Sequence, residues 1–326
     1  MRRREFMAAL GAMAAWPLTG RAQAPGMPTV GYLGAESPAR FATRLRAFRQ
    51  GLGEAGYRET VDVHIEYRWA EGHNERLPAL AADLVQRNVT MIAAPGSVAS
   101  ALAAKAATST IPIVFEIGAD PVEVGLVASL NRPNGNVTGV TSLNAEVTPK
   151  RLALLRELVP KATRFGVLVN PSNPKNAEAT IRDIEAAAHK LGVETDILKA
   201  ASESDLNDVF ATVVRLQSPL CIANETFFAN RSELLAGLTM RNRVPAAHQS
   251  REFAAAGGLL GYGGSIAQSH RQAGIYAGRI LHGARPAELP VQRVTKVEMF
   301  INVTTAKALG LAVPVSLLSV ADEVFE

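Results

Sequence analysis

From residue 27 onward the chain alternates short β-rich apolar runs with longer segments whose apolar residues recur at helical spacing. Residues 28–33 read as a strand. Residues 39–56 read as a helix with Phe41, Leu45, Phe48 and Leu52 on one face and Gly56 as its stop. In residues 61–69 the side chains of Val61, Val63, Ile65 and Tyr67 alternate, which predicts a strand with one buried face. A helix over 74–87, a buried strand over 89–94, an alanine-rich helix over 98–107 and a buried strand over 111–117 follow. A helix over 121–130 and a strand over 136–141 complete a first half, whose repeated β–α units predict a parallel sheet covered on both faces.

The same pattern then restarts. Helices are expected at 150–159, 176–191, 205–216 and 231–240, and strands at 164–170, 193–199, 220–223, 246–248 and 258–262. A long helix over 266–282 closes at Gly283 before Pro286 and Pro290. One more strand, 297–303, and a short helix, 304–309, form a returning tail. The chain reads as two similar α/β halves.

Composition narrows the function. The 326 residues suffice for two domains, and 48% hydrophobic with 20% charged residues suits packed cores. Only 6% are aromatic, too few for a stacking surface for bases. The net charge of +4 is mostly a leader effect, since Arg2, Arg3, Arg4 and Arg21 face only Glu5 there, so no nucleic-acid partner is implied. A single cysteine, Cys221, excludes an internal disulfide framework and a cysteine-based zinc site.

Residues 1–24 read as an export signal, with the arginines as a basic start, an apolar stretch over 7–18 and the small-x-small site Ala22-Gln23-Ala24. Arg3-Arg4-Glu5-Phe6-Met7 fits the twin-arginine pattern, with an ordinary signal peptide as the alternative. Pro25 keeps cleavage after Ala22 open beside cleavage after Ala24. The apolar run falls short of the ~20 residues of a membrane span. A soluble, periplasmic mature protein is expected.

Signatures of chemistry are missing. There is no P-loop, and Gly31-Tyr32-Leu33-Gly34 lacks dinucleotide-binding spacing. His64, His73, His189, His248, His270 and His282 never fall four apart, so no helical zinc pair exists. Pro95-Gly96-Ser97-Val98-Ala99 approaches a nucleophile elbow but has Ala99 where the second glycine belongs. No cofactor, metal or catalytic residue is expected; the chain reads as a binder.

Specific runs carry a resemblance. They include Phe48-Arg49-Gln50-Gly51-Leu52, Ile65-Glu66-Tyr67-Arg68-Trp69-Ala70-Glu71-Gly72 and Thr110-Ile111-Pro112-Ile113-Val114-Phe115. Asp120-Pro121-Val122, Gly135-Asn136-Val137-Thr138-Gly139, Ala256-Gly257-Gly258-Leu259 and Tyr276-Ala277-Gly278-Arg279-Ile280-Leu281 belong with them. Over essentially the whole mature chain the sequence resembles the substrate-binding proteins of ABC importers whose characterised members take up tryptophan and other aromatic amino acids. The resemblance implies a type I periplasmic-binding fold, in which two Rossmann-like lobes with parallel sheets are joined by three crossovers and close over a ligand. It places 28–143 with 265–290 in one lobe and 144–264 with 291–326 in the other. It implies a small-molecule ligand, an ABC permease as partner and a monomer. A sensory binding protein for a membrane receptor is the second reading, and a serine hydrolase using Ser97 the third, for which no base is found.

In parallel sheets the ligand lies beyond the carboxyl ends of the strands, where helix N-termini favour a carboxylate. Ser97, with the N–H groups of Val98 and Ala99, fits that role, although a plain helix cap explains Ser97 equally. Asp120 reads as a cap of the Pro121 turn or a contact, and Glu116 as a cleft residue or a paired strand end. Thr141 lies at the first crossover, and Tyr262-Gly263-Gly264-Ser265 and residues 290–295 at the others. The second half offers Asn170, Asn224, Glu225 to neutralise an ammonium, Phe227 as an apolar wall and His248. The family pattern is departed from at Glu116 and at Asn224-Glu225-Thr226-Phe227, which is where ligand choice is expected to be written.

Overall fold

The computed structural model describes residues 26–142, 144 and 146–326. The expected export signal lies outside the described residues. The strands are β1 (Thr29–Gly34), β2 (His64–Trp69), β3 (Met91–Pro95), β4 (Ile113–Ile117), β5 (Val137–Ser142), β6 (Arg164–Val169), β7 (Glu194–Lys199), β8 (Leu220–Ile222), β9 (Ala246–His248), β10 (Leu260–Gly264), β11 (Gln292–Val294), β12 (Val297–Asn302) and β13 (Glu323–Phe325). They form two sheets, ordered β2-β1-β3-β4-β5-β11 and β7-β6-β8-β9-β10-β12-β13. Both sheets share the 2-1-3-4-5 order, so each has a topological switch point, at β1/β3 and at β6/β8.

Strands β3, β4 and β5 are buried along their whole length, as central strands of a parallel sheet covered on both faces must be. On one face of the first sheet, Leu77, Leu84 and Ala101 from helices Leu77–Gln86 and Val98–Ala107 fill the core. On the other, Phe48 and Leu52 of helix Ala42–Glu54 meet Ala273, Tyr276 and Ala277 of helix Ile266–Leu281. That second helix follows β10 of the other lobe yet covers the first sheet, so the chain crosses between lobes at Ser265. In the second lobe Arg151 of helix Thr148–Leu158 is wholly buried and donates to the carbonyls of Tyr262 (2.9 Å) and Ile222 (3.1 Å), tying the middle of β10 to the end of β8.

Several expectations need correction. Residues 121–130 are turns, not a helix: Asp120 Oδ1 accepts from the N–H groups of Val122 (2.7 Å) and Glu123 (3.3 Å), and Gly125, at φ +77°, breaks the coil after one turn. The strand expected over 61–69 starts only at His64, because a turn closed by Asp62 Oδ2 on Arg58 N–H (3.1 Å) leaves Val61 outside. Strand β11 pairs in parallel with β5, so residues 292–294 sit in the first sheet rather than with 291–326 in the second lobe. The third crossover therefore falls between β11 and β12. One pairing, β10 with β12, is antiparallel.

Candidate functional site

The carboxyl ends of the strands enclose a cavity of about 50 Å³ between the lobes. Arg44, Gly96, Ser97, Val98, Glu116, Gly118 and Ala119 line it from the first lobe, and Asn173, Asn176, Asn224, Glu225, Thr226, Ala229 and Gln249 from the second. Ser142, Asn144, Ile266 and His270 line it beside the crossovers. Two wider clefts adjoin it, one of about 400 Å³ that shares Ser97, Glu225 and Thr226, and one of about 580 Å³ that shares Arg44, Ala229 and Ile266.

The β3-to-helix turn forms because Gly96 takes φ +87°; a Cβ there would stand 2.7 Å from the Phe41 ring and 3.3 Å from His270 Nε2. Ser97 is then extended, lines the cavity and caps helix Val98–Ala107, its Oγ accepting from Ser100 N–H at 3.4 Å. Of the residues expected to bind, Ser97, Val98, Glu116, Asn224 and Glu225 come together in the lining.

The others do not reach the cavity. Ala99 is half-buried against the first core. Asp120 is occupied as the turn cap, and Thr141 Oγ1 donates to the Ala119 carbonyl (3.0 Å), fixing the strand end. Asn170 lines the 400 Å³ cleft and is tied internally, donating to Glu225 Oε2 (3.1 Å) and accepting from Ser172 N–H (2.9 Å). Phe227 also lines that cleft, under the Arg231 guanidinium 3.9 Å above its ring. His248 is wholly buried behind the cavity with Nδ1 3.1 Å from Ser250 Oγ, and burial holds its pKa well below the usual histidine value.

The lining residues not singled out as contacts from the sequence include Arg44, Asn173, Asn176, Gln249 and His270. Arg44 follows Phe41 by three positions and precedes Phe48 by four, so it lies on the apolar face of its helix. His270 likewise joins Ile266, Ala273 and Ala277 on the inward face of helix Ile266–Leu281. A polar residue inside an apolar stripe is the signal that marks both. Arg44 is half-buried, and burial, opposed by the more distant Glu252 and Glu116, lowers its pKa. It pairs with no carboxylate among the described residues. Glu116 is only 3% exposed, and no donor reaches its carboxylate among the described residues. His270 Nδ1, 3.6 Å from Glu116 Oε2, gives its hydrogen to the Ile266 carbonyl at 2.9 Å.

The lobes touch through polar contacts around the cavity. Thr226 Oγ1 donates to the Gly96 carbonyl (2.6 Å), and buried Glu36 accepts from Arg231 Nη1 (3.3 Å). Arg231 Nε also reaches Glu203 (2.9 Å), and Arg40 donates to the Asn230 carbonyl (2.9 Å). Gly118 has no side chain to keep the Asn224 amide away. This is a closed arrangement, with the cavity roofed by both lobes.

The profile of the family described as "ABC transporter substrate binding protein" matches residues 35–325. The chain belongs to this family. Among curated proteins it is 27% identical over 266 residues to a tyrosine-binding protein of Clostridioides difficile, covering 82% of this chain and 76% of that one. Among solved structures it resembles a conserved domain protein from Vibrio cholerae, at 25% identity and TM-score 0.83. It also resembles an ABC domain in complex with L-Trp from Streptococcus pneumonia, at 23% identity and TM-score 0.82. Each comparison covers 91% of this chain and 99% of the other. The two-lobed type I fold and the role of solute-binding component of an ABC transporter follow.

Within this substrate-binding protein Glu225 is a structural carboxylate. Its Oε2 accepts from Asn170 Nδ2 (3.1 Å) and from Phe227 N–H (2.6 Å) as the cap of helix Thr226–Ala229. Burial, with Glu36 adding repulsion, nevertheless holds its pKa above the usual carboxylate value against those bonds. A raised folded-state pKa means that protonation favours the fold, and the advantage is lost as pH climbs from the unfolded value through the folded one. Glu225→Gln is therefore expected to melt higher than wild type at about pH 8, with the gap shrinking toward about pH 4.5. Thermal melts across that range check it; a gap that does not change with pH contradicts it.

Proposed function

We propose that the protein captures an α-amino acid by its zwitterionic head group in the interlobe cavity and hands it to an ABC permease. One observation carries the reading: among the described residues a buried carboxylate without a donor, Glu116, and a guanidinium without a carboxylate partner, Arg44, line the same small cavity. An ammonium and a carboxylate on one molecule satisfy both groups, and leaving either buried and unpaired is costly. The N–H groups at the Ser97 turn add to the carboxylate side, where the helix Val98–Ala107 begins. An aromatic side chain is favoured by the tyrosine-binding relative and the L-Trp complex. It would extend into the cleft of about 400 Å³ that has Phe227 in its wall.

The protein is read as working outside the cytoplasm after export on its leader. Among the described residues no helix is long and apolar enough to cross a membrane.

The test is a thermal-shift screen of the amino acids and aromatic carboxylates, with mass spectrometry of material released on denaturation. Free ligand at ~100 times its dissociation constant stabilises the fold by about 2.7 kcal/mol, a shift of a few degrees. A full screen without any shift defeats the reading, and chemical conversion of the added amino acid points to an enzyme instead.

A further inference from the structure

With an ammonium at Glu116, two further side-chain atoms that are wholly shielded from solvent in the cavity-lining residues remain without a partner among the described residues: His270 Nε2 and Gln249 Oε1. Both side chains are more than nine-tenths buried, at 1% and 5% exposure. They come from opposite sides of the cleft, His270 from the helix on the first lobe and Gln249 from the loop after β9 on the second. The His270 tautomer is set by its own helix, because Nδ1–H is committed to the Ile266 carbonyl at 2.9 Å. Nε2 is then a lone-pair acceptor lying against Gly96 in the wall. Burial also lowers the pKa of this histidine, which keeps the ring neutral.

We propose that His270 is a specificity-determining residue: its Nε2, the Gln249 amide oxygen and the Glu116 carboxylate form a three-acceptor receptor for the three N–H bonds of a primary ammonium. The inference rests on the amino-acid reading and deepens it, since Glu116 alone would accept any cation. A primary ammonium carries three donors and matches three acceptors, two of them neutral. An N-methylated amine leaves one acceptor unpaired, and an α-hydroxy acid removes the charge together with two of the donors. In a cavity of about 50 Å³, which holds only a few water molecules, a bound head group displaces the water that would otherwise satisfy such groups.

The experiment measures dissociation constants of L-tyrosine, N-methyl-L-tyrosine and 3-(4-hydroxyphenyl)lactate for the wild-type protein and for His270→Leu, His270→Gln and Gln249→Met. In His270→Leu the constant for L-tyrosine is expected to rise about 10- to 100-fold, while that for the hydroxy acid moves by less than about threefold. His270→Gln, whose amide oxygen reaches the place of Nε2, is expected to restore most of the loss. Gln249→Met, which alters the other lobe, should repeat the selective effect, so the proposal stays testable if His270→Leu does not fold. A His270→Leu protein that binds tyrosine as wild type does, or that loses all three compounds equally, overturns the role of His270 alone. A wild-type protein that binds no amino acid overturns the amino-acid reading and this one together.

Discussion

Arg44→Met is expected to raise the dissociation constant of a captured amino acid by about 30-fold or more, the effect of truncating one partner of a desolvated charge pair by 2 kcal/mol and upward. Arg44 lines the cavity and no carboxylate among the described residues holds it, so on the amino-acid reading its guanidinium is available to the ligand carboxylate. The same desolvation predicts that the ligand-free variant is no less stable than wild type, because an unpaired guanidinium has left partly buried surroundings. Arg46→Met, on the exposed side of the same helix, is the control and should change neither quantity. Calorimetric titration with thermal melts checks both. Unchanged affinity in Arg44→Met would remove the carboxylate site from Arg44.

The largest effect on folding is expected from Gly274→Leu. Helices Ala42–Glu54 and Ile266–Leu281 pack so closely that a Cβ at 274 would collide with the Phe48 carbonyl and stand 2.7 Å from Leu52 N. Gly51 meets the Arg271 backbone in the same way. Backbone rather than a flexible side chain is in the way, so the helices must move apart. Overpacking typically costs about 1–3 kcal/mol, and a whole leucine side chain at a backbone contact should reach or exceed the upper end. His270 rides on this helix, so ligand capture should weaken as well. Gly53→Ala, with nothing within 4 Å of the new methyl group, should leave stability the same or slightly higher. Equal melting temperatures for Gly274→Leu and wild type would show that the helices can part freely.

Local pattern carried much of the architecture. The stripe Phe41, Leu45, Phe48, Leu52 and the apolar runs of β3 and β4 are periodic over a few residues, and burial makes that periodicity legible without a partner in view. The turn Gly96-Ser97 was legible for a related reason: a strand ending at glycine and serine before a helix has few conformations open to it. The returns were weaker at 121–130, read as a helix, where Gly125 at positive φ ends the coil after one turn.

In the candidate site, Ser97, Val98, Glu116, Asn224 and Glu225 could be found because they stand at strand ends, where chain direction alone places them at the cleft. His248 and Phe227 stand at similar positions yet miss the small cavity, His248 being wholly buried and Phe227 lining the adjoining cleft instead. Side-chain direction there depends on the Phe253 ring and the Arg231 guanidinium, which reach them from other elements. Arg44 and His270 carried a readable mark, polarity within an apolar stripe, but its meaning required the facing lobe.

The sequence by itself determined two α/β halves, their element order and the loops that end each strand, because hydrophobic periodicity and turn chemistry act over a few residues. Only the tertiary structure decided which polar groups are left to a ligand. Arg231 meets Glu36 across 195 positions of chain, and Gln249 shares a cavity with Glu116 and His270. Whether a buried charge is satisfied depends on distance in space, and the closure of two separately folded lobes sets that distance.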